Sequence, residues 1–174
     1  MQNKNEHILS LRNIIAVTVF FILLFLDQFT KRLAVIYLKD TGGVDMIPGI
    51  FRLQYLENTG AAFSIFTGKL LFFYIITAIL CTIILMAMVR LPEGPHFYPF
   101  FFTLVVLLSG AVGNLIDRIH LQYVVDFLYF SLIDFPIFNV ADIYVTVSVF
   151  VLIVLLMFFY KEEELNAVFQ RKSK

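Results

Sequence analysis

The sequence predicts a membrane all-α fold of four transmembrane helices, with a small extramembrane β-element and a short helix on the outer face. The first reason is composition. Of 174 residues, 60% are hydrophobic, and the mean hydropathy is +0.89. A soluble domain of this length cannot bury so much apolar surface, because burial is limited by surface-to-volume scaling. The second reason is segregation of charge, which leaves four apolar runs near the roughly 20 residues needed to cross a hydrocarbon core. Residues 1–174 read as a single integral membrane domain. With 13 basic and 13 acidic residues the formal net charge is zero, so no electrostatic footprint points to nucleic acid.

The first span covers about 14–38 and is interrupted by Asp27, Lys31 and Arg32. No small-residue cleavage site follows a short apolar core, so it reads as a retained helix. Asp27 and Lys31 stand at i and i+4 with the acid first, the favourable order for a helical ion pair. A structural pair that locks this helix against the bundle is the favoured reading, and a substrate-facing role the alternative. In the connection that follows, Phe51-Arg52-Leu53-Gln54-Tyr55 alternates apolar and polar, a strand signal. Asn58-Thr59-Gly60 reads as a turn and Ala61-Ala62-Phe63 as the start of a short helix. The small side chains after Asn58 would let a substrate backbone approach, but on the residues alone an ordinary turn is preferred.

The second span, about 70–89, is uncharged and contains Cys81, which reads as helix packing and excludes an internal disulfide. The third, about 97–116, is also uncharged. Asn114, Asp117 and Arg118 share a helix face at its end. Arg118 suits a backbone carbonyl or an anionic lipid group, and Asn114 a peptide amide. The plainer reading, that Asp117 and Arg118 mark where the helix meets water, is favoured before any wider context. The connection from about 117 to 139 is too rich in Tyr, Phe, Leu and Ile for a freely solvated loop and is expected to hug the membrane interface. The fourth span, about 140–160, holds Asp142 near its start.

An even number of spans puts both termini on one side. Lys4, Arg12, Arg90, Lys161, Arg171, Lys172 and Lys174 lie there, against Lys39, Arg52, Lys69 and Arg118 opposite. The excess favours cytoplasmic termini under the positive-inside rule.

Asp126 in Val124-Val125-Asp126-Phe127 and Asp142 in Phe138-Asn139-Val140-Ala141-Asp142 each set a carboxylate against apolar sequence at a membrane boundary. Such a residue costs free energy unless paired, hydrated or working. Two carboxylates brought together share a proton and titrate as a unit, so one can activate water while the other polarises a carbonyl. The alternatives are a helix N-cap at Asn139 with Asp142 against the dipole, and a hydrated loop position for Asp126. His7, His96 and His120 are scattered, so no metal site or cofactor is expected.

Together these stretches resemble the bacterial lipoprotein signal peptidases, also called type II signal peptidases. The matching pieces are Asp27-Gln28-Phe29-Thr30-Lys31, Asn58-Thr59-Gly60-Ala61-Ala62-Phe63, Gly113-Asn114-Leu115-Ile116-Asp117-Arg118, Val124-Val125-Asp126-Phe127 and Phe138-Asn139-Val140-Ala141-Asp142. They fall in the family's order over about residues 25–145. Phe135-Pro136 stands where many members carry Trp-Pro. The resemblance implies an intramembrane aspartic endopeptidase that cuts prolipoproteins just before a diacylglyceryl-modified cysteine. It implies Asp126 and Asp142 as the catalytic pair, Asn58, Gly60, Asn114, Arg118 and Asn139 as substrate-binding, and Asp27, Lys31 and Asp117 as supporting residues. A small sheet cradling substrate would arise around residues 44–56. Expected partners are lipidated prolipoproteins and membrane lipids, with the chain a monomer in the bacterial cytoplasmic membrane and its site toward the outer face. A proton-coupled transporter using Asp27, Asp126 and Asp142 as a relay is the competing class. It would place its acids at midspan and show two related halves. A non-catalytic assembly factor leaves the carboxylate pair unexplained.

Overall fold

A long uncharged apolar run inside a bilayer satisfies its backbone groups within its own helix, since no water is there to do so. The computed structural model describes residues 3–60, 70–92 and 94–169. Among them are four helices long and apolar enough to cross a membrane. Helix α1 is Asn3–Leu38, with Leu11–Leu38 as its apolar part, and α2 is Leu70–Arg90. Helix α3 is Tyr98–Leu121, entered through a 3-10 turn at Pro95–Phe97. Helix α4 is Val140–Val154 and continues as a π turn over Leu155–Phe159. A further short helix, α5 (Glu162–Phe169), follows it and was not foreseen.

Helix α3 is the axis of the bundle. Half of its span is buried, against 11% for α1 and α4 and 17% for α2. Small residues permit this. A Cβ at Gly110 would lie 2.6 Å from the Ala141 carbonyl oxygen of α4, and one at Gly113 would lie 2.5 Å from Asp27 Oδ2 of α1. Close approach at such residues is how membrane helices gain packing contacts where apolar burial alone offers little.

The third helix continues past the expected end near 116 to Leu121. It closes on Gln122, in the left-handed conformation (φ 70°), whose N–H donates to Arg118 O at 3.1 Å. Asp117 and Arg118 are therefore inside the helix and do not mark where it enters water. Asp117 is buried, because its carboxylate faces α1.

The extramembrane sheet extends beyond the small β-element expected over 44–56. Strands β1 (Val44–Ile47) and β2 (Phe51–Asn58) form an antiparallel hairpin, turning at Gly49 (φ 73°). A third strand, β3 (Val124–Tyr129), completes a sheet of order β1-β2-β3. Leu56 faces Asp126 and Asn58 faces Val124 across the β2–β3 pair. Beyond β3, Phe138 N–H donates to Leu128 O at 3.0 Å, and Phe138 O accepts from Leu128 N–H at 2.8 Å. That bridge delivers Asn139 and the start of α4 to the side of Asp126. The short helix expected from Ala61 lies outside the described residues.

Gly110→Ala is expected to destabilise the protein by roughly 1–3 kcal/mol, the range for overpacking a tight contact. The obstacle is a main-chain carbonyl, which cannot swing aside. The check is a lowered thermal midpoint in detergent relative to wild type.

Candidate active site

Asp126 sits mid-strand in β3, where Val124, Val125, Asp126 and Phe127 are all buried. It is 1% exposed, so the hydrated-loop alternative does not hold. Asp142 stands in the first turn of α4. Asn139 caps that helix with a full capping box: its side chain accepts from Asp142 N at 3.0 Å, and its own N–H donates to Asp142 Oδ2 at 3.1 Å. The same Asn139 donates from Nδ2 to Asp126 Oδ1 at 2.6 Å. One asparagine thus bridges the two carboxylates.

The other oxygens are held as well. Asn58 Nδ2 donates to Asp126 Oδ2 at 2.7 Å, while its Oδ1 accepts from Gly60 N–H at 2.9 Å. Asn114 Nδ2 donates to Asp142 Oδ1 at 2.8 Å, and its Oδ1 accepts from Asn139 Nδ2 at 3.1 Å and Lys31 Nζ at 2.8 Å. Because a lysine can only donate, it fixes which end of the Asn114 amide points at Asp142.

Beneath the pair lies a buried ionic network. Lys31 Nζ is 3.0 Å from both Asp27 Oδ2 and Asp117 Oδ2. These side chains are 0–4% exposed. Gln28 Nε2 ties the two acids together, donating to Asp27 Oδ2 at 3.1 Å and Asp117 Oδ1 at 3.0 Å. Each acid also accepts one main-chain N–H: Asp27 Oδ1 from Ala141 at 3.0 Å and Asp117 Oδ2 from Val125 at 3.1 Å. Those are the residues immediately before Asp142 and Asp126. Gln28 lies inside a motif noted from sequence, but its role depends on Asp117, far along the chain.

The aspartates open onto a cavity of about 520 Å³. Its polar wall is Asn58, Gly60, Asn114, Arg118, Asp126 and Asp142. The rest of the wall includes the apolar Phe135 to Phe138 and, on α4, Ile143 and Val147 with the hydroxyl-bearing Thr146. Asn139 is fully buried and does not line the cavity. Sequence reasoning brought the two aspartates and the three asparagines forward, but it gave no signal for the α4 wall, whose residues look like any membrane-facing stripe.

A family model described as signal peptidase II matches residues 19–159. The chain belongs to the signal peptidase II family. All five motif stretches fall within the matched region. The chain is 43% identical over 144 residues to the lipoprotein signal peptidase of Caldanaerobacter subterraneus subsp. tengcongensis, covering 82% of this chain and 96% of that one. It is 42% identical over 138 residues to the lipoprotein signal peptidase of Streptococcus thermophilus, covering 79% and 87%. A solved bacterial membrane enzyme, determined by the in meso method at 2.3 Å resolution, matches with TM-score 0.71 and 32% identity over 84% of this chain and 92% of that one. The peptidase is thus a multi-pass membrane protease of the class that removes signal peptides from prolipoproteins.

Burial pushes the Asp126 carboxyl up to about 7 from an ordinary 3.8, the nearby Asp142 charge adds to the rise, and the Asn58 and Asn139 amides oppose it. A carboxyl whose pKa is raised on folding binds more protons folded than unfolded. Its contribution to stability is full below the ordinary value and is lost as pH rises toward about 7. Asp126→Asn should therefore flatten the fall in thermal midpoint between acid and neutral pH. An unchanged slope in that variant would place the titrating group elsewhere.

Proposed function

We propose that the chain is an intramembrane aspartic endopeptidase that cuts diacylglyceryl-modified prolipoproteins just before the lipidated cysteine, with Asp126 and Asp142 as its catalytic pair. The supporting observation is that one buried asparagine bridges the two carboxylates at the wall of an open cavity beside a membrane helix end. Asp126, in the more buried setting, carries the shared proton. Asp142, at the N-terminus of α4 where the helix dipole favours negative charge, serves as the base.

The chemistry follows from that asymmetry. Asp142 takes a proton from water as the water oxygen attacks the scissile carbonyl carbon, and Asp126 gives its proton to the carbonyl oxygen. In the collapse the C–N bond breaks, the leaving nitrogen takes the proton from Asp142, and the hydroxyl proton returns to Asp126. The pair is then restored.

Asn58 and Asn114 each spend one amide hydrogen on an aspartate and keep the other for a substrate carbonyl. Arg118 offers its remaining N–H groups to backbone or ester oxygens, and Gly60 leaves room for the substrate backbone. Asn139, being sealed from the cavity, serves by orienting the aspartates. Asp27, Lys31 and Asp117 hold the frame. The whole chain acts as one monomeric peptidase domain, with cytoplasmic termini and the site toward the outer face. A lipidated substrate stays in the bilayer because each buried methylene contributes about 0.8 kcal/mol, so the protease must work at the membrane boundary.

Purified protein mixed with a diacylglyceryl-modified prolipoprotein peptide should release a fragment ending immediately before the lipidated cysteine, read by mass spectrometry. Asp126→Asn and Asp142→Asn should each abolish release, and together cost about as much as either alone, because members of a catalytic unit are not additive. Retention of more than about a tenth of wild-type turnover in either would refute the pairing.

Arg118→Ala and Asn58→Ala should weaken binding of a substrate-mimicking peptide to the Asp142→Asn background by roughly 1–3 kcal/mol, the range for a buried or charged hydrogen bond left unmade. Neither should shift the cleaved bond. Unchanged affinity in both would confine these residues to structural roles.

A further inference from the structure

We propose that Phe73, in the first turn of α2, is a positioning residue for substrate binding, whose ring face holds the Arg118 guanidinium in the orientation that presents its unused N–H groups to the cavity. The proposal rests on the substrate-binding role given to Arg118 above. Helix α2 contributes nothing to the carboxylate pair or to the ionic network beneath it. It reaches the site instead through two adjacent side chains. The Arg118 guanidinium carbon lies 4.4 Å from the centroid of the Phe73 ring, within cation–π range. Tyr74 OH donates to the Arg118 main-chain oxygen at 2.7 Å. The two aromatics therefore hold the head and the backbone of the same arginine.

The other restraints on the guanidinium are weak. Arg118 Nη1 donates to Asn114 O and Nη2 to Gly60 O, both at the long distance of 3.3 Å. Among the described residues no carboxylate lies within ion-pair distance of it, although Asp126 and Asp142 share the cavity wall. A long cation facing that wall without an ion-pair partner would otherwise swing toward the aspartates and block the water they must activate. The face of an aromatic ring attracts a cation without consuming any of its N–H groups, and does so more strongly when desolvated. Phe73 is 7% exposed, so its ring face is withheld from solvent. A leucine could fill much of the same space but has no such face.

The test is steady-state cleavage of a diacylglyceryl-modified peptide by full-length protein with phenylalanine 73 replaced by 4-fluoro-, 3,5-difluoro- and 3,4,5-trifluorophenylalanine. Fluorination drains the ring face while nearly preserving its size, so the fold is not at issue. KM should climb stepwise, to about tenfold in the trifluoro protein, with kcat held within about twofold, as expected when uniform binding is lost. Phe73→Trp should keep KM near wild type, and Phe73→Leu should match the trifluoro protein. In an Arg118→Ala background the fluorine series should have no further effect, since the two residues act through one contact. A flat series, a series that lowers kcat in place of raising KM, or an equal rise without Arg118 would each overturn the proposal. If Arg118→Ala itself leaves KM unchanged, the substrate role of Arg118 falls with it. If Arg118→Ala impairs KM while the series is flat, the Phe73 proposal alone fails.

Discussion

Lys31 sits between Asp27 and Asp117 at 3.0 Å from each, in a part of the bundle from which water is excluded, and the rest of the site hangs on that contact. Burying such a group costs several kcal/mol per ion unless every donor and acceptor finds a partner. Here they do. The three ammonium hydrogens go to Asp27, Asp117 and Asn114. The two carboxylates also accept from Gln28 and from two main-chain N–H groups. Those two N–H groups belong to Val125 and Ala141, each one residue before a candidate catalytic aspartate. The network thereby ties the strand carrying Asp126 and the helix carrying Asp142 to the same ammonium. A fully satisfied polar network of this kind specifies one arrangement, while a partly satisfied one destabilises. Gly113 is part of the bargain, since any side chain there would meet Asp27 Oδ2.

The two aspartates inherit different surroundings from that frame. Asp126 lies in the interior of a strand covered on both sides, and Asp142 lies at a helix start with the Asn139 N–H and the Asn114 amide beside it. Different environments acting on two like groups are what separates an acid from a base. Asn139 belongs to both halves: its backbone closes the cap on α4 and its side chain reaches Asp126. The residues alone allow an N-cap at Asn139 to hold Asp142 in place for catalysis, and here one side chain contacts both aspartate residues.

How much of this was legible followed from the range of the interactions. The four spans depend on local composition and were readable, as were the Asn139 cap and the Asp27–Lys31 spacing. Strand β3 was not read as a strand, because Val124 to Phe127 are all buried and the polar-apolar alternation that marks a half-exposed strand is absent. Asp117 looked like a helix end meeting water because its partners, Lys31 and Gln28, come from α1. Phe73 and Tyr74 lie in a helix whose apolar run hides any individual role. The motif resemblance recovered the aspartates and asparagines, but the direction in which each amide points needed coordinates.

The proposed division of roles has the buried Asp126 keeping the proton beside the Asp142 charge. The direct measurement is carbon-13 NMR of aspartate carboxyl groups across pH, with each resonance assigned by substitution. Asp126 should remain protonated to about pH 7 and titrate at lower pH in Asp142→Asn, where the neighbouring charge is gone but the burial remains. An Asp126 that ionises near an ordinary 3.8 and ignores the loss of Asp142 would contradict it.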